Sequence, residues 1–256
     1  LSSLYMPLDP KAYIRKINHN ERIILGDHYA NKAINSCMLC GLCKSVCPTG
    51  VDMAEIIRDT RKSMVSRGKM PPSAHDFALK DMEFNMSEYF NLLKHQSGMD
   101  KSKFLFFPGC QLSGSYPQYV EKSYAYLMEK LEGGVGLYLN CCGAPGEWAG
   151  RDDLFETSLK KIYLDWESMG RPTFILACST CYYILKNYLP DINIITLWEI
   201  FNEKGLPSGA HKGEGKNLVV HDSCTARDYS NIYDGIRDIV KKLEYDITEP
   251  HYTKEQ

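Results

Sequence analysis

Nine of the ten cysteines in this chain fall into two groups whose spacing suits iron–sulfur chemistry. The first is Cys37-Met-Leu-Cys40-Gly-Leu-Cys43-Lys-Ser-Val-Cys47-Pro48, a C-x2-C-x2-C-x3-C-P run. Thiolates two residues apart let one loop wrap a cube and ligate three of its irons, with backbone amides turned toward the sulfides. Gly41 lets the backbone approach closely. A zinc site would ordinarily separate two C-x2-C pairs by a dozen or more residues, so this compact run favours a 4Fe–4S cluster.

The second group is Cys110, then Cys141-Cys142-Gly143, then Cys178-Ser-Thr-Cys181. Each part follows a predicted strand, at 104–107, 135–139 and 173–177. In an open parallel sheet the carboxyl ends of the strands share one edge, where ligands bind, so five cysteines distant in sequence are expected to converge there. Buried apolar cysteine is the plain alternative, since a free thiol packs well. It accounts for one or two residues, not for five at strand ends.

The surrounding elements divide by texture. Residues 1–100 are polar and read as helical, over 10–17, 21–33, a segment capped by Asp52, and 73–94. A polar stretch at 95–103 containing Gly98 marks the boundary. Beyond it, short apolar strands, with two more at 192–197 and 218–220, alternate with amphipathic helices. One helix carries Val120, Tyr124, Leu127, Met128 and Leu131, and another Phe155, Leu159, Ile162 and Trp166. A last one carries Ile232, Ile236, Ile239, Val240 and Leu243. The expected fold class is therefore α/β: a helical N-terminal domain (1–100), then an α/β domain with a mostly parallel sheet (101–216) and a further strand-bearing segment (217–256).

Thirty Lys and Arg against 32 Asp and Glu give a formal charge of −2, which argues against a nucleic-acid binder driven by bulk charge. No apolar run approaches the length of a membrane span. No basic region followed by an apolar signal core opens the sequence, so ten thiols are expected to serve metal or redox chemistry in a reducing compartment, the cytoplasm.

The Cys37–Pro48 loop resembles bacterial-type ferredoxin domains and looks like the second half of a two-cluster unit. In such units the fourth cysteine, here Cys47, ligates the other cluster. Phe107-Pro108-Gly109-Cys110, Cys141-Cys142-Gly143 and Ala177-Cys178-Ser179-Thr180-Cys181 resemble the cysteine-rich CCG domain. That domain occurs in heterodisulfide reductase, in the glycolate oxidase iron–sulfur subunit and in lactate-utilisation proteins. A ferredoxin part like the one here is often fused to it, or is carried by a separate polypeptide of the reductase. The resemblance implies that Cys110, Cys141, Cys142, Cys178 and Cys181 ligate a second iron–sulfur cluster, of non-cubane form in the reductase family. Five thiolates exceed the four of a cubane, and successive side chains tend to diverge, so an opened or bridged cluster is expected. Four-fold ligation would instead leave a reactive spare thiol.

Leu218-Val219-Val220-His221-Asp222-Ser223-Cys224 repeats the strand-then-cysteine pattern and reads as the start of a second CCG copy. The first copy's interval of 31 carries Cys224 to position 255, so further iron–sulfur sequence is expected beyond both ends. Cys224 and His221 are candidate site residues; His221–Asp222 could assist proton transfer to a leaving thiolate, but a purely structural His221–Asp222 hydrogen bond is the favoured reading of that pair. Arg151, Arg227 and Lys44 are candidates for stabilising cluster charge. Gly133-Gly134-Val135-Gly136 precedes its strand and is no nucleotide loop. A flavin or nicotinamide must then come from a partner or from sequence beyond this chain.

The expected function is an electron-transfer iron–sulfur subunit or domain. It would relay electrons between the ferredoxin-type cluster, the CCG cluster and a flavoprotein or other redox subunit, with no catalytic residue assigned. The alternatives are a heterodisulfide-reductase-like disulfide reductase acting at the five-cysteine cluster, a glycolate or lactate oxidase iron–sulfur subunit, and a zinc scaffold.

Overall fold

A computed structural model describes residues 28–250 of the chain. The expected helices at 10–17 and the first part of 21–33 lie outside the described residues. Two compact units emerge. Of the described residues, 28–82 together with Pro145–Glu156 form the first, and 83–144 with 157–250 form the second.

The first unit is helical. Helix α1 (His28–Ser36) leads into the cysteine run, which contains the single turn α2 (Leu42–Ser45). Helix α3 (Met53–Ser66) then starts at Asp52, whose Oδ1 accepts the amides of Ala54 at 3.0 Å and Glu55 at 3.1 Å. This side chain satisfies donors that have no partner inside the helix. Helix α4 (Asp76–Met86) follows. Ile34, Cys43, Met53, Ile57 and Met64 form the core, so the loop's Cys43 is itself a core residue.

The 73–94 helix is shorter than expected. It ends at Met86, and Leu92–Lys94 is instead a strand, β1, antiparallel to β3 (Val135–Leu139). Three residues carry too little alternation to announce a strand, and only the exposed edge of β3 makes them one.

The second unit is a five-stranded sheet, β1-β3-β2-β4-β5, with β2 (Phe104–Phe107), β4 (Thr173–Leu176) and β5 (Ile194–Thr196). Apart from β1 every pairing is parallel. The central strands read as continuous apolar runs because both faces are covered. Phe106, Leu137 and Ile175 pack on α6 (Pro117–Lys130) and α10 (Leu197–Lys204). On the other face Phe107, Tyr138 and Phe174 form an aromatic layer, and the Tyr138 hydroxyl reaches Asp165 of α8 (Asp152–Ser168), which follows the short α7 (Ala144–Ala149) in the chain. The chain leaves β2 toward β3 on one side and reaches β4 on the other, so the strand order reverses at β2. Ligands of open α/β sheets bind in the crevice at such a reversal.

Strand β6 (Asn217–Val219) stays out of this sheet and pairs in parallel with β7 (Asp246–Thr248) through helix α11 (Ser230–Lys242). The path β6–Cys224–α11–β7 repeats the path β2–Cys110–α6–β3. In the first pair the register offset is 31 residues, which carries Cys110 onto Cys141. In the second it is 29, which carries Cys224 to position 253, where the sequence has threonine.

The Asp52 cap gives a direct test. Burial raises its carboxyl pKa, but the Glu55 amide and Lys44, 3.1 Å away, outweigh this and hold it below the usual value. Replacing Asp52 by Ala should destabilise the first unit by about 1 kcal/mol in chemical denaturation at neutral pH. Because the folded pKa is depressed, the difference from wild type should be full above roughly pH 4 and vanish as pH falls through the folded value.

Candidate iron–sulfur centres

Strands β2, β3 and β4 are neighbours and run the same way, and their carboxyl ends deliver the five cysteines to one place. Cys110 begins the short helix α5 (Cys110–Ser115), Cys141 and Cys142 follow β3, and Cys178 caps α9 (Ser179–Tyr188), which carries Cys181. The sulfurs of Cys110 and Cys141 stand 3.9 Å apart. Cys142 is hydrogen-bonded to both Cys141 and Cys181, and Cys181 in turn to Cys178. The five thiols therefore form one connected row. The vicinal pair does not diverge as extended-chain alternation suggests, because the backbone there has left the strand and turns toward Gly143.

Gly109 makes the approach possible. At φ 87°, a β-carbon on it would stand 3.1 Å from Cys178 Cβ and 3.2 Å from Cys181 Sγ. Asn140, buried behind the pair, accepts the Cys141 amide at 2.8 Å and donates to the Tyr138 hydroxyl at 2.6 Å. Ser158 donates to the Cys141 carbonyl at 3.2 Å. Neither Asn140 nor Ser158 was legible as a site residue, although Asn140 directly precedes the pair. Such outer partners fix ligand orientation.

The row is electrostatically uneven. The hydrogen bond from Cys181 brings Cys178 down to about 6, helped against burial by amides of Cys181 and Thr180. Cys142 is lowered by the thiols of Cys141 and Cys181, and Cys181 is raised by giving its proton toward Cys142 and Cys178. Cys110's thiol works to lower Cys141, but donation to Cys142 and burial push it up to about 12. Buried sulfurs that share protons in this way are donors for metals that displace those protons. Among the described residues no three His, Cys, Asp or Glu side chains close on a single ion's position. An all-thiol row fits a multi-iron cluster, whose irons are spread over several positions.

The first loop is arranged three plus one. Burial raises Cys43, and the neighbouring thiolates of Cys40 and Cys37 raise it further, so these three lie within each other's field. Gly41, at φ 73°, makes the turn between Cys40 and α2. Cys47 faces its own loop instead. Its sulfur is 3.2 Å from the Thr49 hydroxyl and accepts amides of Val51, Thr49 and Gly50, which lower its pKa.

The other candidates separate. Asp222 is locked by Arg237, whose Nη1 and Nη2 lie 3.0 and 2.7 Å from its carboxylate, so it orients no proton relay through the exposed His221. Cys224 is exposed, but its neighbour Thr225 is 3.2 Å from the Ser179 hydroxyl and 3.3 Å from that of Thr180. The turn bearing Cys224 is thus hydrogen-bonded to the Cys178–Cys181 loop. Lys44 pairs with Asp52 and Arg151 with Asp153. Arg227 has Nε and Nη1 buried without a hydrogen-bond partner among the described residues.

Residues 104–186 match the family model of the CCG cysteine-rich domain, and this match contains all five thiols of the row. Residues 3–52 match a 4Fe–4S dicluster domain, and their four cysteines are Cys37, Cys40, Cys43 and Cys47. Two iron–sulfur family models thus match successive parts of the chain. It is 24% identical over 283 aligned positions to an EtfAB:quinone oxidoreductase of Syntrophomonas wolfei subsp. wolfei, covering 98% of this chain and 39% of that protein. It is 24% identical to an uncharacterized iron–sulfur protein of Methanococcus maripaludis, covering 82% of this chain and 44% of that one. The chain thus spans less than half the length of these curated relatives. No solved structure matches. The domain matches and these similarities support an iron–sulfur electron-transfer role, with a 4Fe–4S cluster and a second cluster in the CCG domain. No described helix is long and apolar enough to cross a membrane.

Gly109→Ala tests the close approach in the CCG domain. The added methyl group meets Cys178 and Cys181 in a backbone conformation that alanine disfavours. Iron content should fall by the CCG cluster's share, while the signal of the 4Fe–4S loop persists in low-temperature electron paramagnetic resonance.

Proposed function

We propose that the chain is a two-centre relay. A cubane cluster is held by Cys37, Cys40 and Cys43, and a second, opened cluster by Cys110, Cys141, Cys142, Cys178 and Cys181. Electrons are exchanged with a flavoprotein partner in the cytoplasm. The observation that carries this reading is the pair of thiol sets: three sulfurs within one another's field in the first loop, and five in one connected row at the sheet edge. When bound, such clusters supply one-electron storage. The chain's own contribution is to fix the thiolates, bury them and place hydrogen-bond donors around them.

Among the described residues, the His221–Asp222 pair is not arranged for acid–base work. Asp222 is committed to Arg237, and His221 is exposed. A relay needs neither. A flavoprotein partner is in keeping with the similarity to a protein named for EtfAB and a quinone. Cys47, turned to the amides that follow it, is the ligand of a cluster other than the one its three neighbours hold.

Two experiments test the reading. Cys40→Ser should abolish the cubane while leaving the CCG cluster reducible by dithionite but no longer by a reduced flavoprotein. Unimpaired flavoprotein reduction of the CCG cluster in this variant rejects the serial relay. Alkylation of the anaerobic, loaded protein should leave all five CCG-domain cysteines unmodified. One stoichiometric label in that set, beside an ordinary cubane spectrum, would show four ligands and a free thiol.

A further inference from the structure

Arg61 projects from α3 and is only 2% exposed. Its Nη2 donates to the carbonyl of Cys37 at 2.5 Å and to that of Ile34 at 2.8 Å, while Nε reaches Ile34 at 3.3 Å. Its Nη1 donates to the carbonyl of Trp148 at 2.7 Å. Ile34 lies in the last turn of α1, where carbonyls lack helical partners and carry partial negative charge, so a guanidinium is well matched there. Cys37 is the first thiol after that turn. Trp148 lies six residues after Cys142 in the sequence, in the segment that belongs to the first unit. One side chain thus fixes the entry to the cysteine loop and a segment following the CCG pair.

Packing alone does not call for a cation here. Arg61 shares its helix with the core residues Ile57 and Met64, and replacing buried charges by apolar groups is often neutral or stabilising. A buried positive charge does have an electrostatic consequence. Adding an electron to a thiolate-ligated cluster adds negative charge, and a cation held close by in a medium of low dielectric stabilises that state. The field of Arg61 is felt elsewhere in the unit. His75, 3.0 Å from Asn35 through Nε2, is held down to about 4 first by burial and then by the charge of Arg61.

We propose that Arg61 raises the reduction potential of the cluster held by Cys37, Cys40 and Cys43, as a positioning residue bonded to the Cys37 carbonyl. The inference rests on the reading of that loop as the cubane site. Its test is a redox titration of the loaded full chain followed by electron paramagnetic resonance, with Cys40→Ser identifying the cubane signal. In Arg61→Gln, at the poise that half-reduces the wild-type cubane, the reduced fraction should fall several-fold. Arg61→Lys, which keeps the charge, should fall between Gln and wild type. A cubane that still depends on Cys40 and titrates identically in all three overturns the role of Arg61 and leaves the loop's assignment intact. A signal that survives Cys40→Ser overturns both. If neither Arg61 variant carries iron as purified, both are reconstituted anaerobically with iron and sulfide and titrated in the same way. A reconstituted cubane that titrates as wild type, or a loop that cannot be reconstituted in either variant and so needs Arg61 for its fold, overturns the inference.

Discussion

Parallel alignment of β2, β3 and β4 is the constraint on which the CCG site depends. Antiparallel neighbours would send alternate loops to opposite edges and scatter the thiols. Three parallel strands in adjacent positions send every following loop to the same edge. The reversal of strand order at β2 opens a crevice there, and Gly109 lets the β2 loop close on Cys178 and Cys181. The apolar runs that make these strands central are therefore also what brings Cys110, Cys141 and Cys178 together.

Around that edge the protein satisfies its polar groups in a continuous sequence. Asn140 links the Cys141 amide to the Tyr138 hydroxyl, which is bonded to Asp165, which in turn pairs with Lys161 at 2.7 Å. Buried polar networks of this kind fix a unique geometry when every member has a partner. On the Cys178–Cys181 side the hydroxyls of Ser179, Thr180, Ser223 and Thr225 play the same part. The second strand–cysteine segment is thus tied to the first even though β6 and β7 form a sheet of their own.

The helical unit uses a different device. No sheet edge gathers its thiols; close spacing along the chain does, and the task of the fold is to anchor a short loop. Asp52 caps the helix after it, and Arg61 closes the helix before it. Arg58 adds a 2.9 Å ion pair to Glu147, a carboxylate that is almost wholly buried. Cys43 enters the core while Cys47 turns to the amides that follow it, so a four-residue difference in position separates two chemical environments.

Much of this was legible in the residues. The two cysteine patterns, the cap at Asp52, the strands near 104, 135 and 173 and their helices all depend on local spacing, and local spacing is what a sequence displays. The helix over 73–94 failed at its end because β1 owes its existence to the edge of β3 rather than to its own three residues. Asp222 looked available to His221, but Arg237, fifteen residues further on, takes its carboxylate. The closeness of Cys141 and Cys142, the bonds of Arg61 to Ile34, Cys37 and Trp148, and the docking of Thr225 on Ser179 all join residues through backbone turns or across long separations. The sequence by itself determined which chemistry the thiols can perform. Tertiary structure alone decided which sulfurs share protons and which charges face them, because those depend on distances that only the folded chain fixes.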